Sequence, residues 1–255
     1  MGNNILLKTQ KILGVKITIS ILYDIYQYIS YSIYNKHKVS IFTPNPEIIT
    51  QANHVENYQK ILNQGDINIP DGRGVFWAGK ILGLNIKKTI PGIDFMQNLC
   101  AMAEKNGWSI FLLGGRNGVA VKTRDILSKK YPQLNILGFY EGSAEEKSDQ
   151  DTVELVKKQC GKHWVDIIFV AYGAPKQEYW IDRNLSRLPV SVAMGVGGAF
   201  NYISGKVSRA PKWVRNLGFE WLYRLCKEPW RWKRQIKLIE FVMLVFKSYF
   251  HRFVA

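Results

Sequence analysis

Apolar and polar residues alternate along this chain in blocks that predict a repeated strand–loop–helix order. Short apolar runs ending in Gly, Pro or Asn are typical of buried strands, and the segments between them carry apolar residues at helical spacing. The predicted strands are residues 14–21, 39–42, 67–69, 108–113, 135–140, 165–171 and 190–196. The predicted helices are residues 21–35, 47–62, 75–82, 92–106, a segment ending near 130, 151–161 and 176–185. This order predicts a three-layer, Rossmann-like α/β fold with a mostly parallel sheet.

The last fifth of the chain departs from this pattern. Residues 206–255 hold twelve of the 35 Lys and Arg residues but only three acids. Four aromatic residues alternate with these cations, and an apolar run follows at 238–246. We therefore expect an α/β domain at 1–205, which would carry any catalytic site, and a basic, aromatic helical appendage at 206–255.

The formal charge of +15 predicts an anionic partner. Nucleic acids and anionic lipid surfaces both attract basic proteins. The apolar run beside the basic cluster favours a membrane surface, because binding to the phosphate backbone of a nucleic acid does not require apolar side chains. The run is interrupted by Glu240 and is far shorter than the ~20 residues of a spanning helix, so the appendage is expected to lie on a membrane. Nucleic-acid binding is the alternative of a different class. Pairing of exposed apolar surfaces could also give a homo-oligomer.

Three further features set expectations for location and metal binding. Lys8, Lys11 and Lys16 interrupt the first apolar stretch, so no secretory signal is predicted. The three cysteines are widely spaced and odd in number, which fits a reducing compartment. The expected location is the cytoplasm, peripheral on the inner face of the cell membrane. Asp149 and Asp151 have the spacing of a metal-binding pair, but their polar surroundings favour a helix start.

Polar and glycine-rich clusters follow several of the predicted strands. In an open parallel sheet, ligands bind at the carboxyl ends of the strands. We therefore expect a site where these clusters converge: Thr43–Asn45, Asp71–Gly72, Gly114–Gly115, Gly173–Gln177 and Gly195–Gly198.

Each cluster also has a purely structural explanation. Asp71 is either a turn residue or a general base held on a rigid turn. The glycines from Gly114 to Gly118 either make a tight turn or bring backbone N–H groups to a phosphate. They lack the full dinucleotide-binding pattern, so a nucleotide-dependent oxidoreductase is a weaker alternative. Gln177 and Glu178 either cap a helix or recognise a polar ligand.

Six blocks in sequence order narrow these alternatives. They are Thr43-Pro44-Asn45-Pro46-Glu47, Pro70-Asp71-Gly72, Gly173-Ala174-Pro175-Lys176-Gln177-Glu178, Gly195-Val196-Gly197-Gly198-Ala199-Phe200, Arg209-Ala210-Pro211 and Glu220-Trp221-Leu222-Tyr223-Arg224. Together they resemble the WecG/TagA/CpsF glycosyltransferases, a family of bacterial cell-surface polymer enzymes. The resemblance extends from about Gly14 to Arg234.

The resemblance implies an inverting transfer of a sugar, typically N-acetylmannosamine, from a UDP-sugar to a polyprenyl-diphosphate-linked sugar. The products belong to wall teichoic acid, enterobacterial common antigen or capsule synthesis. A different donor, such as glucose or the uronate of N-acetylmannosamine, is the alternative within the family. The resemblance implies no metal and no other cofactor.

The resemblance also assigns residues by motif. Asp71 matches the general base, and Thr43 matches the threonine beside it. Arg224, Arg231 and Arg234 match appendage arginines that close over the pocket and hold the lipid diphosphate. The remaining candidate substrate-binding residues are Asn45, Asp94, Gly114, Gly115, Lys176, Gln177, Gly195, Gly197 and Gly198.

The chain departs from the family pattern at two places. Asn201 follows the Gly-Gly-Ala-Phe block where relatives commonly carry Asp, so that carboxylate is missing here. Lys88 stands in a segment that often carries Arg in relatives, and Lys lacks the planar fork of Arg. Both departures bear on the choice of donor more than on the class of reaction.

Overall fold

The computed structural model describes residues 6–229 and 232–254 as a three-layer α/β fold. Six parallel strands form the central sheet in the spatial order β4-β3-β8-β7-β5-β6. Their bounds are β3 Val39–Phe42, β4 Ile67–Asn68, β5 Ser109–Gly114, β6 Asn135–Tyr140, β7 Val165–Ala171 and β8 Val190–Gly195. The predicted fold class is confirmed, because helices cover both faces of a parallel sheet. The parallel sheet needs this cover because its strands are apolar on both sides.

The helices follow the strands in the predicted order. Those before β5 are α1 Leu22–Tyr34, α2 Pro46–His54, α3 Glu56–Gln64, α4 Arg73–Ile81 and α5 Gly92–Asn106. Those between β5 and the end of the α/β repeat are α6 Val119–Lys130, α7 Asp149–Cys160, α8 Lys176–Asn184 and α9 Ala199–Ile203. The appendage adds α10 Lys212–Leu217, α11 Glu220–Lys227 and α12 Trp232–Val254.

Two segments differ from the sequence prediction. The strand expected at 14–21 is the second arm of an antiparallel hairpin, β1 Thr9–Ile12 and β2 Val15–Thr18. The helix expected at 47–62 is two helices, because Val55 has extended backbone and separates α2 from α3. Apolar residues at helical spacing look alike in one long helix and in two shorter helices that cover the same core.

The alternation of side chains along each strand divides the core into two clusters. On β5, Phe111 and Leu113 pack on one face of the sheet, and Ile110 and Leu112 pack on the other. The first face is covered by the hairpin and by α2, α3, α4, α7 and α8. The second is covered mainly by α1, α5 and α6.

The last helix of the appendage packs directly on the first of these clusters. Phe241 and Val245 of α12 are each 2% exposed and belong to the same core as α2 and α4. The Thr50 hydroxyl of α2 donates to the carbonyl of Lys237 at 3.2 Å. The domain boundary near residue 205 stays a prediction, and this helix is anchored to the α/β body.

Candidate active site at the carboxyl edge of the sheet

The loops after β3 and β4 meet at the start of α5. The Asp71 N–H donates to the Pro44 carbonyl at 3.0 Å, which ties the two loops together. The Gly92 N–H donates to Asp71 Oδ2 at 3.3 Å. A Cβ at Gly92 would lie 3.1 Å from Thr43 Oγ1, so Thr43 packs closely against the α-carbon of Gly92. The two predicted catalytic residues therefore both lie beside Gly92.

Asp71 is presented on a turn that only glycine can follow easily. Gly72 has φ +87° and is the residue that precedes α4. Burial raises the pKa of Asp71 from an ordinary 3.8 to about 7. The Gly92 N–H and the positive charge of Arg209 act in the opposite direction, and the carboxylates of Glu220 and Asp94 add to the rise. A carboxylate with such a pKa is a good proton acceptor near neutral pH.

Asn45 has a clear structural role. Its side-chain oxygen accepts the Ile48 N–H at 3.0 Å and caps α2, with Pro46 in the first turn. The cap fixes the path of the chain between Thr43 and α2. Any contact of Asn45 with substrate stays a prediction.

Asp94 is held by an arginine that follows the α/β repeat. Arg209 binds it through two parallel bonds, Nη1 to Oδ1 at 2.5 Å and Nη2 to Oδ2 at 2.7 Å. Arg215 lies 3.9 Å from the same carboxylate, and Glu220 lies 3.8 Å from Arg209 Nε. This cluster joins the start of the appendage to α5 beside Asp71.

Gln177 joins the loops that follow β7 and β8. Its Oε1 accepts the Gly173 N–H at 3.2 Å and the Gly197 N–H at 2.8 Å. Its Nε2 donates to Glu178 Oε1 at 2.8 Å. A Cβ at Gly195 would lie 2.8 Å from Gln177 Nε2, so glycine is needed there for close packing. Gln177 does not cap α8, whose flanking residue is Pro175.

The glycine turn after β5 is occupied by a carboxylate of the chain itself. Glu141 accepts the Gly118 N–H at 2.8 Å and the Asn117 N–H at 3.2 Å, at the start of α6. A Cβ at Gly114, which has φ +100°, would lie 2.8 Å from the backbone of Ala171. Glycine at position 114 thus has a packing reason, and the binding roles assigned to Gly114 and Gly115 stay predictions.

The other predicted binding residues are less closely involved in these contacts. Lys176 and Gly198 are exposed at this edge of the sheet. Arg231 lies outside the described residues. Arg224 and Arg234 lie on α11 and α12, and their side chains are outside the described part of the structure.

Comparison with known proteins shows the family of the whole chain. A sequence profile described as the glycosyl transferase WecG/TagA/CpsF family matches residues 10–254. The chain belongs to this family.

Curated relatives give the same result over most of the chain. The N-acetylglucosaminyldiphosphoundecaprenol N-acetyl-beta-D-mannosaminyltransferase of Bacillus subtilis (strain 168) is 34% identical over 208 residues, which is 82% of this chain and 79% of that protein. The protein of the same name from Staphylococcus aureus (strain MW2) is 33% identical over 207 residues, 81% of this chain and 78% of that protein. The motif-based recognition is confirmed.

The structure adds residues that the sequence did not single out for the site of this WecG/TagA/CpsF family member. Arg209 lies in one of the six blocks, but its partner Asp94 is 115 positions away. Glu141 lies in a polar stretch with no pattern of its own. Glu178, which the sequence offered with Gln177 as a cap or a polar contact, is completely buried, and its burial could not be read from the sequence.

The described residues include no group of three or more His, Cys, Asp and Glu side chains that could hold a metal ion. Asp149, the first residue of the D-x-D sequence, is 4% exposed and is bound by Arg183 through Nε at 2.6 Å and Nη2 at 3.1 Å. It starts α7, as the sequence indicated.

Proposed function

We propose that this protein transfers N-acetylmannosamine from a UDP-sugar to a polyprenyl-diphosphate-linked N-acetylglucosamine, with inversion at the anomeric carbon. The observation that carries the proposal is the meeting of Thr43 and Asp71 at Gly92, in a chain of the WecG/TagA/CpsF family. The relatives' names, which include this donor sugar and lipid-linked acceptor, support the choice of substrates. The uronate or glucose donor is not favoured by these names.

Asp71 is the proposed general base. It takes the proton of the acceptor hydroxyl as that oxygen attacks the anomeric carbon and the bond to UDP breaks. Its raised pKa suits this task, because a base is most effective when its pKa lies near the working pH. Thr43, buried beside Gly92, is the proposed residue that orients the hydroxyl that reacts.

The departing UDP needs positive charge or hydrogen-bond donors. Two amides of the glycine loops, those of Gly173 and Gly197, already donate to Gln177. The proposal therefore assigns this role mainly to cationic side chains. Lys176 after β7 and Arg116 after β5 are exposed at this edge of the sheet and are the candidates. Arg224, Arg231 and Arg234 are the proposed ligands of the acceptor diphosphate.

The reaction is tested by measuring UDP release from several UDP-sugars, with and without a polyprenyl-diphosphate-linked N-acetylglucosamine analogue, in the presence of EDTA. We expect release that requires both the acceptor and UDP-N-acetylmannosamine and that persists in EDTA. Release from another UDP-sugar would change the donor, and loss of activity in EDTA would contradict the proposed metal independence. Absence of UDP binding would overturn the proposal.

We also propose that the appendage docks on an anionic membrane from the cytoplasmic side. Among the described residues, no helix has the length and apolarity that crossing a membrane requires. The face of α12 opposite Phe241 and Val245 is apolar and solvent-exposed. Its residues are Ile236, Ile239, Val242, Met243, Phe246 and Phe250, each between 45% and 63% exposed. A helix with one apolar face on the protein and another facing outward suits the surface of a bilayer.

The position of α12 connects this surface to the site. It packs on α2 and α4, the two helices that begin directly after Asn45 and Gly72. Leu238 of α12 lies beside Gly74, three residues from Asp71. An acceptor held in the bilayer by its lipid would therefore present its sugar close to the general base.

Met243→Glu tests this docking surface. We expect binding to vesicles containing anionic lipid to weaken about tenfold or more, because an exposed apolar contact is replaced by a negative charge. Co-sedimentation measures the effect. Ser128→Glu is the matched control, since it adds the same charge at an exposed position of α6. Equal binding by both variants would contradict docking through α12. A change in oligomeric state on size-exclusion chromatography, without a change in vesicle binding, would instead assign this face to contacts between copies of the chain.

A further inference from the structure

A fully buried carboxyl group lies next to Gln177, the residue that joins two loops of the site. Glu178 of α8 is 0% exposed, and its Oε1 accepts the Nε2–H of Gln177 at 2.8 Å. Its other oxygen, Oε2, makes no hydrogen bond of ordinary geometry with the residues that the structure describes, although the Tyr58 hydroxyl of α3 interacts with the carboxyl group and helps to lower its pKa. A buried carboxyl with an unsatisfied oxygen costs stability, and a residue of this kind is typical of a functional constraint.

The constraint is visible in the hydrogen bonds of Gln177. Its Oε1 is used twice, by the N–H groups of Gly173 and Gly197. The amide can take this orientation only if its Nε2 points the other way, where an acceptor is needed. Glu178 is that acceptor. With the amide reversed, its NH₂ group would face two backbone N–H donors, and both bonds would be lost.

We propose that Glu178 is a positioning residue that acts through Gln177 to fix the relative placement of the loops after β7 and β8. These loops follow neighbouring strands of the parallel sheet, and Gly173 and Gly197 lie directly at their ends. Ligands of parallel sheets bind at this edge. The chain of bonds from Glu178 through Gln177 to the two glycines therefore prepares the nucleotide side of the pocket. This inference rests on the proposed function for the identity of the ligand only.

The surroundings of Glu178 fit a role in hydrogen bonding and not in proton transfer. The group is fully buried, interacts with the Tyr58 hydroxyl of α3 and accepts a hydrogen bond from Gln177. Burial raises its pKa to about 7, and the bond from Gln177 opposes this rise. The oxygen that faces Gln177 can accept in either protonation state. A glutamine at position 178 should therefore preserve the hydrogen bond to Gln177, whereas an apolar side chain should abolish it.

Three variants and a double variant test the proposal. Glu178→Leu removes the acceptor of the Gln177 Nε2–H. This variant is expected to bind UDP about tenfold more weakly by calorimetry, and to raise KM for the UDP-sugar more than it lowers kcat. Glu178→Gln is expected to stay within about threefold of the wild type. Gln177→Ala is expected to weaken UDP binding by at least as much as Glu178→Leu does. The double variant Gln177→Ala/Glu178→Leu is expected to bind UDP no more weakly than Gln177→Ala alone, because Glu178 acts through Gln177.

Asn184→Leu is the matched control. Asn184 is equally buried on the same helix and donates to the Trp180 carbonyl, so its replacement should lower stability without changing UDP binding. Additive effects in the double variant, or a Glu178→Gln variant as weak as Glu178→Leu, would overturn the positioning role.

Hydrogen exchange of peptides covering Gly173 and Gly197 separates this inference from the proposed function. Faster exchange in Glu178→Leu than in the Gln variant is expected whether or not UDP is the ligand. If the wild type binds no UDP but this exchange pattern is found, the proposed function fails and the positioning role stands. If the wild type binds UDP and exchange is the same in all three proteins, the positioning role fails alone.

Discussion

Asp71→Asn is expected to reduce transfer to the lipid-linked acceptor by about 10²- to 10⁴-fold, the usual contribution of a positioned general base. Asn keeps the shape of the side chain and can still accept the Gly92 N–H. The variant should therefore bind UDP as the wild type does and fail only in turnover. UDP release with and without acceptor measures both properties. Turnover within about threefold of the wild type would remove Asp71 from the mechanism.

The pH dependence follows from the same carboxyl group. Only the ionised form of Asp71 can take a proton, so kcat/KM of the wild type should rise with pH through about 7. Because its pKa is raised, the Asp71 carboxyl group is protonated over a wider pH range in the folded protein than in the unfolded chain. Between its ordinary pKa of 3.8 and about 7, the folded protein holds a proton that the unfolded chain has released, so this group makes folding less favourable as pH rises. Asp71→Asn should thus raise Tm at pH 8 and have a smaller effect near pH 4.

Arg209→Met is expected to lower activity about 10²-fold, because small displacements near a reacting centre have effects of this size. The variant keeps most of the length of the side chain but loses both bonds to Asp94, which hold the start of the appendage on α5. It also removes a positive charge that favours ionised Asp71. The rise of kcat/KM should therefore move to higher pH in the variant than in the wild type.

A surface Arg–Asp pair provides the control. Arg124 binds Asp125 through Nε at 2.9 Å and Nη2 at 2.7 Å on the outside of α6. Exposed pairs contribute little, so Arg124→Met should leave activity and its pH dependence unchanged. Arg209→Lys separates the effect of charge from that of geometry. It should keep the pH dependence near that of the wild type, because the positive charge remains, while losing the pair of parallel hydrogen bonds to Asp94. Wild-type activity in Arg209→Met would show that the cluster is not part of the site.

The sequence predicted most of the fold because apolar periodicity is a local property. The bounds of β3, α5, β6 and β7 agree with the prediction residue for residue. The β1–β2 hairpin and the break at Val55 were missed. The first depends on pairing between two short segments, and the second on how α2 and α3 fit against the sheet, so neither has a strong local pattern.

The sequence predicted the location of the candidate site, because that location follows from the parallel arrangement of the strands. Thr43 and Asp71 follow neighbouring strands, whose carboxyl ends must lie at one edge of the sheet. Asn45 was assigned to the pocket, and the structure gives it a capping role that its type and position also allow. The donor and acceptor roles of Lys176 and the appendage arginines remain predictions, because charge alone does not say which anion a side chain meets.

The sequence by itself determined the layer order, the strand-end location of Thr43 and Asp71, and the family. Only the tertiary structure decided which side chains pair across long separations. Asp94 with Arg209 and Glu141 with the turn at Gly118 are examples. The orientation of the Gln177 amide between two loops and Glu178 is another. The physical reason is that secondary structure follows from residues a few positions apart, whereas burial, hydrogen bonding and the raised pKa of Asp71 depend on groups that folding brings together.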